Sequence, residues 1–101
     1  MKINVINRES IITILRANRP YLEKEFGVVD IALFGSYSKQ TENAASDIDI
    51  YVELNEPTFK KYINLNIFLE KALSAKVHIV RRGPHLSQQF LQSIQKEIIH
   101  V

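Results

Sequence analysis

Apolar positions recur along the chain with two different periods, and the switches between them mark the elements. Ile11, Ile14, Leu15, Leu22 and Phe26 keep helical spacing across residues 9–26. Pro20 falls inside that run, so the pattern predicts a kink, or a stop and restart at Asn18-Arg19-Pro20. Gly27 closes the segment as a helix cap. Val28 to Phe34 is short, β-branched and apolar, which predicts a buried strand ended by Gly35-Ser36. Residues 36–46 are mostly small and polar and predict a short helix or loop. Asp47 to Leu54 predicts a second strand, with Ile48, Ile50 and Val52 on one face.

Asn55-Glu56-Pro57-Thr58 is a turn carrying a helix-start signature. Phe59, Tyr62, Ile63, Leu69 and Leu73 then predict a helix to about residue 73. Lys76 to Val80 predicts a third strand, stopped by Gly83-Pro84. Leu86, Phe90, Leu91, Ile94 and Ile98 keep helical spacing to the end. The predicted order is α-β-(α)-β-α-β-α, an α/β class with helices packed on a small mixed sheet. No repeat, linker or low-complexity tract divides residues 1–101, so one domain is expected.

Composition narrows the functions open to such a domain. A chain of 101 residues, 46% of them apolar, buries about two-thirds of its surface, enough for one core. It has no cysteine, which excludes a disulfide scaffold, thiol catalysis and the usual structural zinc site. No apolar run approaches the ~20 residues that span a bilayer. Met1-Lys2-Ile3-Asn4 also lacks the apolar stretch of a secretory signal. These features predict a small soluble cytoplasmic domain with no membrane partner. The net charge of +2 is too mild to imply direct nucleic-acid binding.

The chemistry concentrates in two places. Asp is depleted in strands, yet Asp47 and Asp49 stand two residues apart in one. Two carboxylates on one strand face can converge on a metal ion, and Mg²⁺ is typically held by one or two carboxylates plus substrate phosphates. Gly35-Ser36, at a strand-to-helix turn, lets the backbone approach a phosphate, and Ser36 adds a hydroxyl. Each motif alone is commonplace: a solvated strand face, and a strand terminator with a serine cap. Their combination, Gly35-Ser36, ten residues, then Asp47-Ile48-Asp49, arises by chance in about one in a thousand chains of this length.

That string resembles the signature of the minimal nucleotidyltransferases of the DNA polymerase β superfamily. The resemblance covers nearly the whole chain. Residues 26–34 are similar to the family's first strand, Lys76 to Val80 to its third, and Glu97-Ile98-Ile99-His100-Val101 to its usual ending. The resemblance implies transfer of a nucleoside monophosphate from ATP or another NTP. Asp47 and Asp49 would bind Mg²⁺, and Gly35 and Ser36 would hold the triphosphate. Short relatives commonly act as antitoxins beside a HEPN-domain toxin, adenylylating one of its tyrosines. Such a partner is the implied acceptor, because the chain is too small to carry its own substrate domain.

Two departures from the family pattern matter. Ser38-Lys39-Gln40 stands where Ala-Arg-Gly is usual. Lys39 keeps a cation near the phosphates but lacks the planar fork of arginine, and Gln40 replaces a loop glycine. His78 stands where the third-strand acid is expected. Imidazole is a competent base near neutrality but a poorer ligand for Mg²⁺ than for Mn²⁺ or Zn²⁺. Val77 and Ile79 point to the opposite face, so His78 is expected to face the site. The rival readings are a weakened pseudoenzyme that neutralises its partner by binding, and a subunit of a larger transferase acting on RNA or a small molecule. Lys76, Arg81 and Arg82 suggest a solvated basic face, Tyr37 packs beside the nucleotide or over the turn, and His85 and His100 have no partner visible in sequence.

Overall fold

The computed structural model describes residues 6–43 and 45–101; the expectation for residues 1–4 lies outside them. Helix α1 (Arg8–Phe26) starts at a reciprocal cap, in which the Asn7 side chain accepts from the Ser10 amide at 2.8 Å and the Asn7 amide donates to Ser10 Oγ at 3.0 Å. It runs through Pro20 as one helix, so the predicted break is not an element boundary. Pro20 and Arg16, whose carbonyl the missing amide would have bonded, are both exposed residues, a position where solvent can take the place of the lost bond. Gly27, at φ +66°, caps the helix with its amide on Glu23 O.

Strands β1 (Val28–Phe34) and β2 (Ile48–Leu54) pair antiparallel, flanking the short helix α2 (Ser36–Lys39). Helix α3 (Phe59–Leu73) then crosses to β3 (Val77–Arg81), which lies parallel to β2. Helix α4 (Gln88–Gln95) follows, and β4 (Ile99–His100) returns to pair antiparallel with β1. The sheet order is β3-β2-β1-β4.

The last element corrects the sequence reading, which carried a helix to the end. Ile94 and Ile98 are four apart, and the Ile98 amide does bond Ile94 O at 2.9 Å, but the helix stops there. The following β-branched residues extend instead, and the Val101 amide continues the ladder onto Ile31 O at 3.0 Å. The second strand likewise begins at Ile48, leaving Asp47 just outside it.

Strand alternation divides the interior in two. Ile31, Leu33, Ile48, Ile50, Val52, Val77 and Ile79 face α1 and α3, whose Ile11, Leu15, Leu22, Leu65, Leu69 and Leu73 close the main core. Ala32, Phe34 and Tyr51 face α4, meeting Ile94, Phe90 and Leu86 in a smaller one. The register of β1 against β2 shifts between Val28 and Asp30. This bulge lets both Val28 and Ile31, three apart, enter the same core while Val29 turns outward.

Helix α3 also covers the outer edge of β3. Tyr62 Oη donates to Ile79 O at 3.2 Å, Asn66 Nδ2 donates to Val77 O at 3.2 Å, and Glu70 Oε2 accepts from the Val77 amide at 3.0 Å. These three side chains stand four residues apart, on one stripe of the helix. Among the described residues no helix is long and apolar enough to cross a membrane.

Candidate active site where the first two strands meet

Asp49 is the centre of the polar end of the sheet. Its register partners are Phe34 on β1 and His78 on β3, and its side chain is about a quarter exposed, at 26%. Gly35 follows Phe34 directly and packs against the carboxylate. A Cβ at position 35 would overlap Asp49 Oδ2 and lie 2.9 Å from Cγ. The glycine also holds φ +79° and ψ −156°, a conformation essentially confined to glycine. Both the backbone angle and the contact therefore require the missing side chain.

The turn after Gly35 is tightly held. Buried Ser38 donates Oγ to Gly35 O at 2.8 Å, and the Thr41 amide donates to Ser36 O at 2.8 Å. Gln40 caps α2 in the left-handed region at φ +59°, the conformation that a glycine would adopt without strain. Ser36 lies at the half-exposed mouth of this turn, next to Gly35. Tyr37 is buried in the main core, so it covers the turn from inside.

His78 faces the same side of the sheet as Asp49. Val77 and Ile79 are in the core, while His78 is 61% exposed with Nδ1 3.1 Å from Asp49 Oδ1. Asp47 is exposed on the turn into β2, where the Ile48 amide bonds Lys76 O at 3.0 Å. The structure brings Gly35, Asp49 and His78 together and sets Asp47 beside them in sequence. Lys39 is directed elsewhere: its Nζ pairs with Glu97 Oε2 at 3.2 Å, joining α2 to the turn after α4. Among the described residues, no three His, Asp or Glu side chains form a ready-made metal cage.

A second polar cluster, which sequence reasoning missed, occupies the other end of the same sheet face. His100 Nδ1 lies 3.1 Å from Asp30 Oδ1, and Arg82 donates to Glu53 Oε1 at 2.8 Å. That hydrogen bond raises the Arg82 pKa further, while burial pushes the nearby Tyr51 phenol up despite the lowering influence of Arg82. The signal for His100 was the β-branched run around it, which pairs it with β1 once read as a strand.

A glycine turn packed against a strand carboxylate places exposed backbone beside a group that can bind a metal ion. The chain belongs to the polymerase beta nucleotidyltransferase family, whose model matches residues 17–101. It is 33% identical over 98 residues to protein adenylyltransferase MntA of Thermococcus cleftensis, covering 96% of this chain and 98% of that protein. A solved minimal nucleotidyltransferase superposes with a TM-score of 0.79 at 24% identity, over 93% of this chain and 95% of its own. The structure of a tri-AMPylated Shewanella oneidensis HEPN toxin in complex with an MNT antitoxin matches with a TM-score of 0.56 at 28% identity, over 93% of this chain and 67% of that one.

Proposed function

We propose that this nucleotidyltransferase is a protein adenylyltransferase that moves AMP from ATP to a tyrosine of a cognate HEPN toxin and so acts as its antitoxin. The observation that carries the proposal is the packing of Gly35 against the Asp49 carboxylate, which sets the backbone of a strand-to-helix turn beside a group that can bind a metal ion. The likeness to the Thermococcus cleftensis adenylyltransferase and to the antitoxin of the AMPylated complex supports the acceptor class.

The donor chemistry fits Mg²⁺. Asp49, with Asp47 on the adjoining turn, offers hard carboxylate oxygens, and the remaining positions go to water and phosphate oxygens. When bound, the ion neutralises charge on the triphosphate as it shifts toward pyrophosphate. Gly35 lets the backbone come close to the phosphates, and Ser36 supplies a hydroxyl donor to them. Lys39 reaches the phosphates by exchanging its Glu97 partner. The acceptor phenol attacks the α-phosphorus in line; its new O–P bond forms as the bond to the pyrophosphate oxygen breaks, and the phenolic proton leaves to water.

The test is the intact mass of the toxin after co-expression, with Asp47→Asn/Asp49→Asn as control. Whole AMP additions made only by the native chain establish the activity. A second reading, neutralisation by binding alone, is favoured by the replacement of the expected acid with His78. An unmodified toxin held in a tight complex by both the native chain and the variant would select it.

A further inference from the structure

The geometry points to a docking surface on the outer side of α3, built to take an acidic amphipathic helix of a partner protein. Most apolar residues of α3 face the core, but Phe59, Ile63 and Ile67 are 79%, 39% and 48% exposed. They stand four residues apart, so they form one ridge about 12 Å long on the helix surface. Lys71 continues the same row, and Lys60 lies beside it; both are exposed. At the Phe59 end the ridge opens into a cleft of about 480 Å³, whose walls include Phe59, Tyr62, Ile79 and Leu86. Arg81 and His85 line the same cleft. Both close on Gly83: a Cβ there would lie 2.8 Å from His85 Nδ1 and 3.4 Å from Arg81 Nη1. The bare glycine thus lets a guanidinium and an imidazole gather at one turn.

The charges choose the occupant. Among the described residues, Lys60, Lys71 and Arg81 have no carboxylate partner. The acids nearby are engaged: Glu56 pairs with Lys61 at 3.8 Å, and Glu70 accepts from the Val77 amide. An acidic partner would meet all three free cations, and a ridge of four-residue period fits the groove of a second helix. A large apolar side chain of that helix would enter the cleft, with a neighbouring carboxylate on Arg81. A second copy of this chain would instead set the lysine-flanked patch against itself, like charge on like. A bilayer takes up a broad apolar face, which neither a single-row ridge nor a concave cleft provides. Helix α3 packs on the side of the sheet opposite Asp49 and His78. A helix bound here leaves the nucleotide site open, and the inference stands apart from the AMP-transfer reading.

The experiment is fluorescence anisotropy with a labelled helical peptide that carries leucine at every fourth position and glutamate on the flanking ones. A second peptide with lysine for each glutamate is the control. The native chain should bind the acidic peptide about tenfold tighter than the basic one. Phe59→Ser should weaken that binding about fivefold while leaving the affinity for an ATP analogue unchanged. The triple variant Lys60→Glu/Lys71→Glu/Arg81→Glu should reverse the preference and favour the basic peptide, a gain that misfolding cannot produce. Equal affinity for the two peptides, no saturable binding, or indifference to both variants overturns the inference. So does self-association of the native chain, or binding to phosphatidylglycerol vesicles, that Phe59→Ser abolishes in place of peptide binding. Peptide binding without any modified toxin would leave the docking surface standing and remove the adenylyltransferase, and AMP transfer without peptide binding would do the reverse.

Discussion

At position 35 two separate demands meet on one residue. The backbone angle is open only to glycine, and the space a side chain would need is filled by Asp49. Gly35→Ala should cost about 1–3 kcal/mol in backbone strain alone and displace the carboxylate. AMP transfer and nucleotide binding should both fall at least 100-fold, read by calorimetric titration and by toxin mass. Gln40 presents the opposite case. It takes a left-handed angle that costs an ordinary residue about 1–2 kcal/mol, against about 0.5–1 kcal/mol of chain entropy that glycine adds. Gln40→Gly should therefore raise stability by about 0.5–1 kcal/mol, seen as a melting temperature about 4 °C higher.

Among the elements, the pair between Lys39 and Glu97 ties α2 to the turn after α4. If Lys39 contacts phosphate, Glu97 competes for it. Glu97→Gln should then tighten ATP binding two- to fivefold, and Lys39→Ala should weaken it, both by titration. Asn66→Leu would leave Val77 O without its partner on the sheet edge, a loss of about 1–3 kcal/mol in chemical denaturation. Much of this element structure was legible in advance. Val28 to Phe34 was a short β-branched apolar run and Phe59 to Leu73 kept one helical spacing, and the observed elements share those bounds. The closing strand was hidden because Ile94 and Ile98 satisfy a helical period just where the helix ends. Of the site, the turn at Gly35 followed from the end of the apolar run, and the face of Asp49 and the outward face of His78 from strand alternation. The contact between Gly35 and Asp49 did not, because it arises from the pairing of Phe34 with Asp49, a tertiary fact. The Glu97 partner of Lys39 was equally invisible, since the two meet only after the chain turns back.

Across the whole molecule, the sheet face under α4 carries polar groups at both ends and apolar ones between. Asp49 and Glu53, on one face of β2, are about 13 Å apart along the strand, with Tyr51 packed between them. The far cluster should thus serve the fold without touching the nucleotide. His100→Ala removes an exposed contact to Asp30 worth at most about 1 kcal/mol. It should lower the melting temperature by a few degrees and leave nucleotide affinity unchanged, as calorimetry would show.

The stripe of Tyr62, Asn66 and Glu70 along α3 has a consequence for how this protein meets others. An edge strand ordinarily offers its free amides and carbonyls as a template for any passing segment. Here Val77 spends both its amide and carbonyl, and Ile79 its carbonyl, on helix α3, and the opposite edge is a strand of only two residues. A partner finds little backbone to zip onto at either side. Recognition is left to side chains on the helices and turns, and the sheet is kept from growing into a neighbour of its own kind.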